Sequence, residues 1–431
     1  MLKTECVSYQ SDEAFAVAQD ADDPLRQFRD QFHIPRSGDG EPVTYFCGNS
    51  LGLQPKAARA MVEQELDAWR DLAVEAHFNK EPSWFAYHEV FADAGARLVG
   101  AKPGAGEVVM MNSLTVNLHL LMVSFFQPQG TRTKILMEEP AFPSDTYAIK
   151  THLRTRGLDP AEHLLLAKPP AGSRTIETRD IEGMLHEHGE QIALVLFGGV
   201  NFFTGQVFDM KRITGLAHAR GCIVGFDLAH AAGNVPLKLH DWGVDFAAWC
   251  SYKYLNSGPG AIAGVFIHEK HARNTDLLRY GGWWGNDPAT RFRMHLEPEF
   301  LARATAEGWQ VSNPPILAMA PLRASLELFD EAGMEALRAK SIRLTGYLRW
   351  LIEQQSPGAF EIITPREVDA QGCQLSILVH DDPKARFQAL EDAGFTCDFR
   401  QPNVIRVAPT PLYNTFHEVW RFANTLARAG G

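Results

Sequence analysis

Short apolar runs alternate with amphipathic segments through the middle of the chain. From about residue 105 onward, apolar runs typical of buried strands are separated by segments with the 3.6-residue spacing of helices. The predicted strands are 134–137, 163–167, 192–197, 222–226, 244–251 and 261–267, and the predicted helices are 113–126, 180–188, 210–220 and one that opens at 141–145. This alternation indicates βαβ units and a mostly parallel sheet.

The pattern changes after the Asn313-Pro314-Pro315 segment. A long helical region, 320–353, is followed by predicted strands at 360–363, 374–379 and 404–407 and by predicted helices at 385–393 and 416–428. The first forty residues are polar and predict a short helix followed by an arm. We therefore predict three parts: an N-terminal arm (1–45) that packs with the small domain, a large α/β domain (46–315) and a small α+β domain (316–431).

Composition excludes several classes of protein. The chain has 431 residues, 45% of them hydrophobic, and its 41 Lys+Arg against 52 Asp+Glu give a formal charge of −11. This acidic balance argues against nucleic acid or an anionic membrane as the main partner. No apolar run approaches the ~18 residues of a membrane span, and the first residues lack the apolar segment of a secretory signal. Six scattered cysteines without C-x-x-C spacing favour a reduced, cytoplasmic protein and no metal site.

Two residues at strand ends carry the strongest chemical signal. Asp227 closes one buried apolar strand, and Lys253 follows the next strand and precedes a glycine-rich turn. In parallel sheets such positions lie at the carboxyl edge, where α/β proteins bind ligands. Each residue by itself has a simpler explanation. The lysine would be a solvated loop residue, and the aspartate would be a turn or cap residue. Together they form the pair that pyridoxal 5'-phosphate requires: an amine that binds the cofactor and a carboxylate that keeps its ring nitrogen protonated.

A polar helix start supplies a candidate phosphate site. Ser113, Leu114 and Thr115 open an apolar helix whose free backbone N–H groups and dipole favour an anion. Ordinary helix capping explains the same residues. The phosphate interpretation gains weight because no P-loop or G-x-G-x-x-G pattern competes with it.

Longer motifs resemble one enzyme family. The segments are YFCGNSLGLQP at 45–55, FPSD at 142–145, FDLAHAAGN at 226–234, WCSYKYLNSGPG at 249–260, SNPP at 312–315 and VIRVAP at 404–409. They resemble the kynureninases, pyridoxal-phosphate enzymes with the aspartate-aminotransferase-like type I fold, from about residue 40 to the end of the chain. The resemblance implies hydrolysis of L-kynurenine or 3-hydroxy-L-kynurenine to L-alanine and anthranilate or 3-hydroxyanthranilate.

The resemblance also implies roles at matching positions. It makes Lys253 the lysine that carries the cofactor, Asp227 the partner of the ring nitrogen and Tyr252 a phosphate contact and general acid–base. The remaining implied cofactor contacts are Leu114, Thr115, Phe142, Pro143, Ser144, Asp145, His230, Trp283 and Asn313.

Substrate recognition is implied at four positions. Arg406 would hold the substrate α-carboxylate as a bidentate fork. His77, Ser312 and Asn313 resemble the aryl pocket of family members that prefer the 3-hydroxylated substrate, which would place the reaction in quinolinate and NAD synthesis. Trp283 and Asn313 come from the neighbouring subunit in this family, so the resemblance implies a homodimer with shared active sites.

Simpler explanations exist for single residues, and other functions exist for the whole chain. His230 and Phe142 would ordinarily be core residues, His77 a surface residue, and Arg406 a buried ion-pair partner. Where family members often carry Ser or Thr, this chain has Gly198, so one hydroxyl contact to the cofactor is missing. A cysteine desulfurase, a selenocysteine lyase or an aminotransferase of the same fold remains an alternative, as does a module that binds the cofactor without turnover.

Overall fold

The computed structural model describes residues 8–428 and contains fourteen α-helices and thirteen strands in that range. The helices are α1 Glu13–Ala21, α2 Ala57–Leu72, α3 Ala92–Val99, α4 Leu114–Phe125, α5 Pro143–Thr155, α6 Pro160–His163, α7 Thr178–His188, α8 Met210–His218, α9 Leu239–Trp242, α10 Glu269–Ala272, α11 Ile316–Ala332, α12 Met334–Gln355, α13 Pro383–Asp392 and α14 Phe416–Arg428. The strands are β1 Thr44–Tyr45, β2 Val108–Met110, β3 Lys134–Glu138, β4 Leu164–Ala167, β5 Ile192–Gly198, β6 Ile223–Asp227, β7 Phe246–Cys250, β8 Ala263–Ile267, β9 Phe360–Ile362, β10 Leu375–Val379, β11 Phe395–Thr396, β12 Asp398–Arg400 and β13 Val404–Val407.

A seven-stranded sheet forms the centre of the large domain. Its order is β2-β8-β7-β6-β5-β3-β4, and β8 runs antiparallel to both of its neighbours while the other pairs are parallel. The strands are nearly continuous apolar runs because helices cover both faces of the sheet. The predicted alternation of strands and helices and the mostly parallel sheet are confirmed.

A four-stranded antiparallel sheet, β12-β13-β10-β9, belongs to the second, smaller part of the chain. Helices α12 and α14 pack against each other beside it, and α1 packs on α14. Strand β1 pairs in parallel with β11. Ala16 and Phe46 from the N-terminal segment therefore lie in the same apolar cluster as β10, β13 and α14.

The predicted helical region 320–353 consists of two helices. Gly333 has a φ of +75°, a left-handed value that favours glycine, and it separates α11 from α12. Helix α11 packs on α2, and its Leu322, Leu326 and Phe329 belong to the core cluster of the large sheet. The predicted boundary between 315 and 316 therefore stays a proposal, since residues as far as Leu337 in α12 still pack in the core cluster of the large sheet.

Two further expectations concern the environment of the chain. None of the helices between residues 8 and 428 combines the length and apolar character that crossing a membrane requires. Five cysteines are buried and free of disulfide bonds, namely Cys47, Cys222, Cys250, Cys373 and Cys397. Cys6 lies outside the described residues.

Candidate active site

The carboxyl ends of four neighbouring strands, β3, β5, β6 and β7, meet at one edge of the large sheet. Gly198 is the register partner of Asp227, and Asp227 is in turn the partner of Ala248. Lys253 follows three residues after the end of β7. The sheet therefore brings Asp227 and Lys253 to one cavity, which both residues line.

His230 is buried beside Lys253. Its Nε2 atom is 3.1 Å from Nζ of Lys253. Burial lowers the pKa of His230 well below its usual value, and the charge of Lys253 lowers it further. A neutral imidazole therefore accepts a hydrogen bond from the lysine ammonium.

Asp145 and Asp227 form a carboxyl pair. Asp227 is 6% exposed, and one of its oxygens accepts a hydrogen bond of 2.7 Å from the backbone N–H of Ala229. Burial raises the pKa of Asp145 well above its ordinary value, and the charge of Asp227 and a hydrogen bond between the two carboxyl groups raise it further. Burial also raises the pKa of Asp227, but the hydrogen bond from Asp145 opposes that shift. Asp145 therefore holds the proton and Asp227 the negative charge.

The start of α4 lines the same cavity through Ser113, Leu114 and Thr115. Ser113 makes no side-chain capping bond, so the first N–H groups of the helix are free for an anion. The Thr115 hydroxyl lies 2.9 Å from the hydroxyl of Ser144, in the first turn of α5. Ser144 and its neighbour Pro143 thus support the site without lining the cavity.

Two aromatic residues flank the lysine. Phe142 is 43% exposed, and the centre of its ring lies 5.7 Å from Nζ of Lys253. The ring of Tyr252 lies 6.0 Å from the same atom. Burial and the neighbouring Cys250 thiol raise the pKa of Tyr252, so its hydroxyl stays protonated in the neutral range.

Glu138 is a cavity residue that the sequence analysis missed. It is the last residue of β3 and is only 4% exposed. The signal that identified Asp227, a carboxyl group directly after an apolar strand run, is present at Glu138 as well. Phe202, Val200 and Ala229 also line the cavity, and they follow strands whose ends were predicted only approximately.

Four predicted residues lie apart from this cavity in the described chain. His77 and Trp283 belong to segments that are in contact, since Phe78 packs 5.9 Å from Phe292 and Phe85 packs 5.6 Å from Trp284, as measured between ring centres. Ser312 and Asn313 are exposed, and the residue before them, Val311, closely contacts Gly282. These predicted residues therefore form a second group on one surface of the chain.

Arg406 is buried, and each of its three side-chain nitrogens donates a hydrogen bond. Its Nε atom donates a 2.6 Å hydrogen bond to the Asp398 carboxylate, Nη2 pairs with the same carboxylate, and Nη1 donates to the carbonyl of Phe202. Burial lowers the pKa of Arg406 to about 10. The ion-pair role that the sequence left open is thus present, and the substrate-binding role of Arg406 stays a prediction.

The cavity residues fit pyridoxal phosphate. Free N–H groups at the start of α4 suit a phosphate, the Asp227 carboxylate suits a ring nitrogen, and the Lys253 amine suits the aldehyde. Glu138 Oε2 and His230 Nδ1 are buried and lack hydrogen-bond partners within residues 8–428. Such orphaned polar atoms at a cavity are expected where a polar ligand completes the site.

Solved structures of similar fold include one that contains this cofactor. A C-DES mutant with glycine covalently linked to its PLP cofactor has a TM-score of 0.74, at 18% identity over 90% of this chain and 96% of that chain. A cysteine desulfurase from Escherichia coli has a TM-score of 0.73, at 18% identity over 94% and 98%. The fold and the site define a pyridoxal-phosphate-dependent enzyme with the type I fold, as the sequence predicted.

Sequence relatives identify the family. Kynureninases from Myxococcus xanthus and Koribacter versatilis are 54% and 53% identical to this chain, over 97% and 96% of it and 97% of each relative. The chain belongs to the kynureninase family. Residues 337–426 also match the family model of the kynureninase C-terminal domain. The protein is therefore a pyridoxal-phosphate-dependent hydrolase that acts on carbon–carbon bonds, which confirms the predicted enzyme class and cofactor.

Proposed function

We propose that this chain hydrolyses the Cβ–Cγ bond of L-kynurenine and 3-hydroxy-L-kynurenine, with 3-hydroxykynurenine preferred. One water is consumed, and L-alanine leaves together with anthranilate or 3-hydroxyanthranilate. The observation that carries the proposal is the Lys253 amine beside the neutral imidazole of His230, in the cavity that Asp227 also lines. These groups meet the needs of a reaction that begins with removal of the α-proton from an amino acid.

Each cavity residue has a task in this proposal. Leu114 and Thr115 hold the phosphate through the N-terminus of α4, and Phe142 covers the cofactor ring. Bound pyridoxal phosphate supplies an electron sink for the charge that develops at the substrate α-carbon. Asp227 keeps the negative charge that this function requires, and Lys253 moves the α-proton. Tyr252 holds a proton near Lys253 and donates it in the later steps.

The preference for the hydroxylated substrate rests on His77. Its Nδ1 atom lies 3.0 Å from the carbonyl oxygen of Val74, so this nitrogen donates and Nε2 is left as an acceptor. The ring also packs edge-on against Trp84, with 5.4 Å between ring centres. An acceptor held in this way suits the extra hydroxyl of 3-hydroxykynurenine, with Ser312 and Asn313 as further polar groups.

A homodimer with shared active sites is part of the same proposal. The surface that carries His77 and Trp283 also exposes large apolar side chains, including Phe78 at 57%, Phe292 at 60% and Leu296 at 68%. Apolar surface of this kind marks protein–protein contacts. A second copy that covers it would bring Trp283 and Asn313 to the cavity of its partner. A cytoplasmic location and a place in tryptophan degradation and quinolinate-dependent NAD synthesis complete the proposal.

The test compares kcat/KM for kynurenine and 3-hydroxykynurenine in one enzyme preparation, with alanine measured as the product. We expect alanine from both substrates and a preference for the hydroxylated one of about 100-fold. His77→Phe should remove most of this preference, whereas His186→Phe on the exposed face of α7 should leave it unchanged. Equal kcat/KM values in the unsubstituted enzyme would contradict the pocket assignment. Absence of alanine from both substrates, with sulfur released from L-cysteine or an amino group transferred to a 2-oxo acid in parallel assays, would favour the desulfurase or aminotransferase alternative.

A further inference from the structure

Glu138 is a third buried carboxyl group in the cavity, and the reaction proposed above does not use it. It ends β3 and lines the cavity together with Asp145, Asp227 and Lys253. Its side chain comes from β3, whereas Asp227 ends β6, Asp145 lies in α5 and Lys253 follows β7. Because β3 pairs with β5, the Glu138 side chain lies beside the end of β5.

The two oxygens of Glu138 have different environments. Oε1 accepts a hydrogen bond of 3.0 Å from the backbone N–H of Gly198, whereas Oε2 is buried without a partner within residues 8–428. A Cβ atom at position 198 would lie 2.9 Å from Oε1, closer than ordinary contacts allow. Gly198 therefore makes room for the carboxyl group, which is anchored by one oxygen while the other is left for a ligand.

The charge balance of the cavity favours a neutral Glu138. Asp145, Asp227, Lys253 and His230 face the same space, and His230 is neutral. Three ionised carboxylates beside one ammonium group would bury excess negative charge. Burial raises the pKa of Glu138 to about 7, and the charge of Asp227 contributes to that rise. With the protons on Asp145 and Glu138, the charges of Asp227 and Lys253 balance.

We propose that Glu138 is a cofactor-binding residue whose protonated Oε2 donates a hydrogen bond to the ring oxygen of pyridoxal phosphate. This inference rests on the cavity being the cofactor site. The phosphate has its donors at α4 and the ring nitrogen has Asp227, so the ring oxygen is the acceptor that remains for a donor at Glu138. The carboxyl group occupies the space toward which a side chain at position 198 would begin, since a Cβ atom there would meet Oε1.

The test uses Glu138→Met, which keeps the approximate size and removes the donor, and Glu138→Gln, which keeps a neutral donor. Glu139→Gln is the matched control, because the Glu139 side chain is 44% exposed and pairs with Lys168, which does not line the cavity. The dissociation constant of pyridoxal phosphate is measured by titration of the apoenzyme. We expect it to rise about 10-fold in Glu138→Met and less than about 3-fold in Glu138→Gln.

The visible absorbance of the bound cofactor provides a second readout. A donor to the ring oxygen favours the ionised form, so its loss should raise the pH midpoint of the absorbance change by about one unit in Glu138→Met. Glu138→Gln should stay close to the unsubstituted enzyme. Gly198→Ala, which crowds Oε1 and leaves the carboxyl group in place, should weaken cofactor binding in the same direction and decides the question if Glu138→Met does not fold.

The outcomes separate this inference from the site assignment. If Glu138→Met and Gly198→Ala both match the unsubstituted enzyme in affinity and midpoint, Glu138 does not contact the cofactor and the inference is wrong. If the unsubstituted chain itself develops no visible absorbance with pyridoxal phosphate, the cavity is not the cofactor site, and both assignments are overturned.

Discussion

Nζ of Lys253 lies 3.1 Å from Nε2 of His230, so a buried neutral imidazole is the hydrogen-bond partner of the lysine amine. Burial and the charge of Lys253 lower the pKa of His230, so the ring is neutral, and the hydrogen bond that Lys253 donates to Nε2 assigns the one ring proton to Nδ1. Nε2 then offers its lone pair to the lysine. The histidine thereby orients the amine. Because the ring is neutral, it does not compete with the lysine ammonium for the carboxylate of Asp227.

This pairing predicts a stability effect that depends on the lysine. His230→Phe leaves the half-buried Lys253 ammonium without an acceptor, and we expect the apoenzyme to lose about 1–2 kcal/mol of unfolding free energy. The loss should be smaller in the Lys253→Met background, which lacks the ammonium group. It should also be smaller in the enzyme loaded with cofactor, because the cofactor then occupies the amine. Denaturant unfolding of the four proteins forms a double-mutant cycle. Additive effects would contradict a direct interaction between the two side chains.

The carboxyl pair Asp145–Asp227 predicts unequal effects of the same substitution. Asp145→Asn keeps a neutral donor toward Asp227, so we expect turnover to fall less than about 10-fold. Asp227→Asn removes the charge that holds the ring nitrogen protonated, and turnover should fall by about 100-fold or more. Single-turnover kinetics of the two variants, loaded equally with cofactor, measure both decreases in turnover. If Asp145→Asn is the more damaging change, the proton and the charge have been assigned to the wrong partners.

The position of Arg406 allows a test that separates a role in substrate binding from a role in stability. If the guanidinium holds the substrate carboxylate, Arg406→Lys should raise KM about 100-fold, since the bidentate fork is lost. Asp398→Asn, which removes the partner that orients Arg406, should raise KM by a smaller factor. Thermal unfolding is measured in parallel. Two variants that lose stability while KM stays unchanged would leave Arg406 as an ion-pair residue only.

The environment of His152 predicts that the large domain loses stability as the pH falls. Its ring bonds to His119 at 3.0 Å and to Arg156 at 2.8 Å, and burial, with the charge of Arg156, lowers its pKa from 6.5 to about 4. The folded protein thus binds fewer protons than the unfolded chain between pH 6.5 and 4. Its stabilising contribution is complete above pH 6.5 and is lost as the pH falls toward 4, on the order of 1–2 kcal/mol with allowance for screening.

Unfolding of His152→Gln at pH 7 and pH 5 measures this contribution. The glutamine amide can bond to both neighbours but does not titrate, so the loss of stability on acidification should be smaller than in the unsubstituted protein. His186→Gln, at an exposed position of α7, is the matched control. An unchanged pH dependence in His152→Gln would mean that this histidine is not the group that titrates.

The residues at strand ends show how far local sequence information reaches. Asp227 and Lys253 could be assigned to one cavity because apolar runs define strands and parallel strands end at a common edge. The start of α4 could also be predicted from local sequence, because polar residues precede an apolar run with helical spacing. The break at Gly333 was missed because apolar spacing continues through it, and only a backbone with positive φ separates α11 from α12. Glu138 was missed although its position after β3 resembles that of Asp227.

By itself, the sequence determined the βαβ order, the type I fold, the family, the cofactor and the pair of residues suited to bind it, since all of these depend on local patterns and motifs. The tertiary structure decided which groups carry protons and which partners they meet. Asp145, in α5, is neutral because it is buried beside the charged Asp227 at the end of β6 and shares a hydrogen bond with it, and Arg406 is paired because β12 places Asp398 beside it. These properties arise from burial and from contacts between distant segments, and neither quantity is fixed before the chain folds.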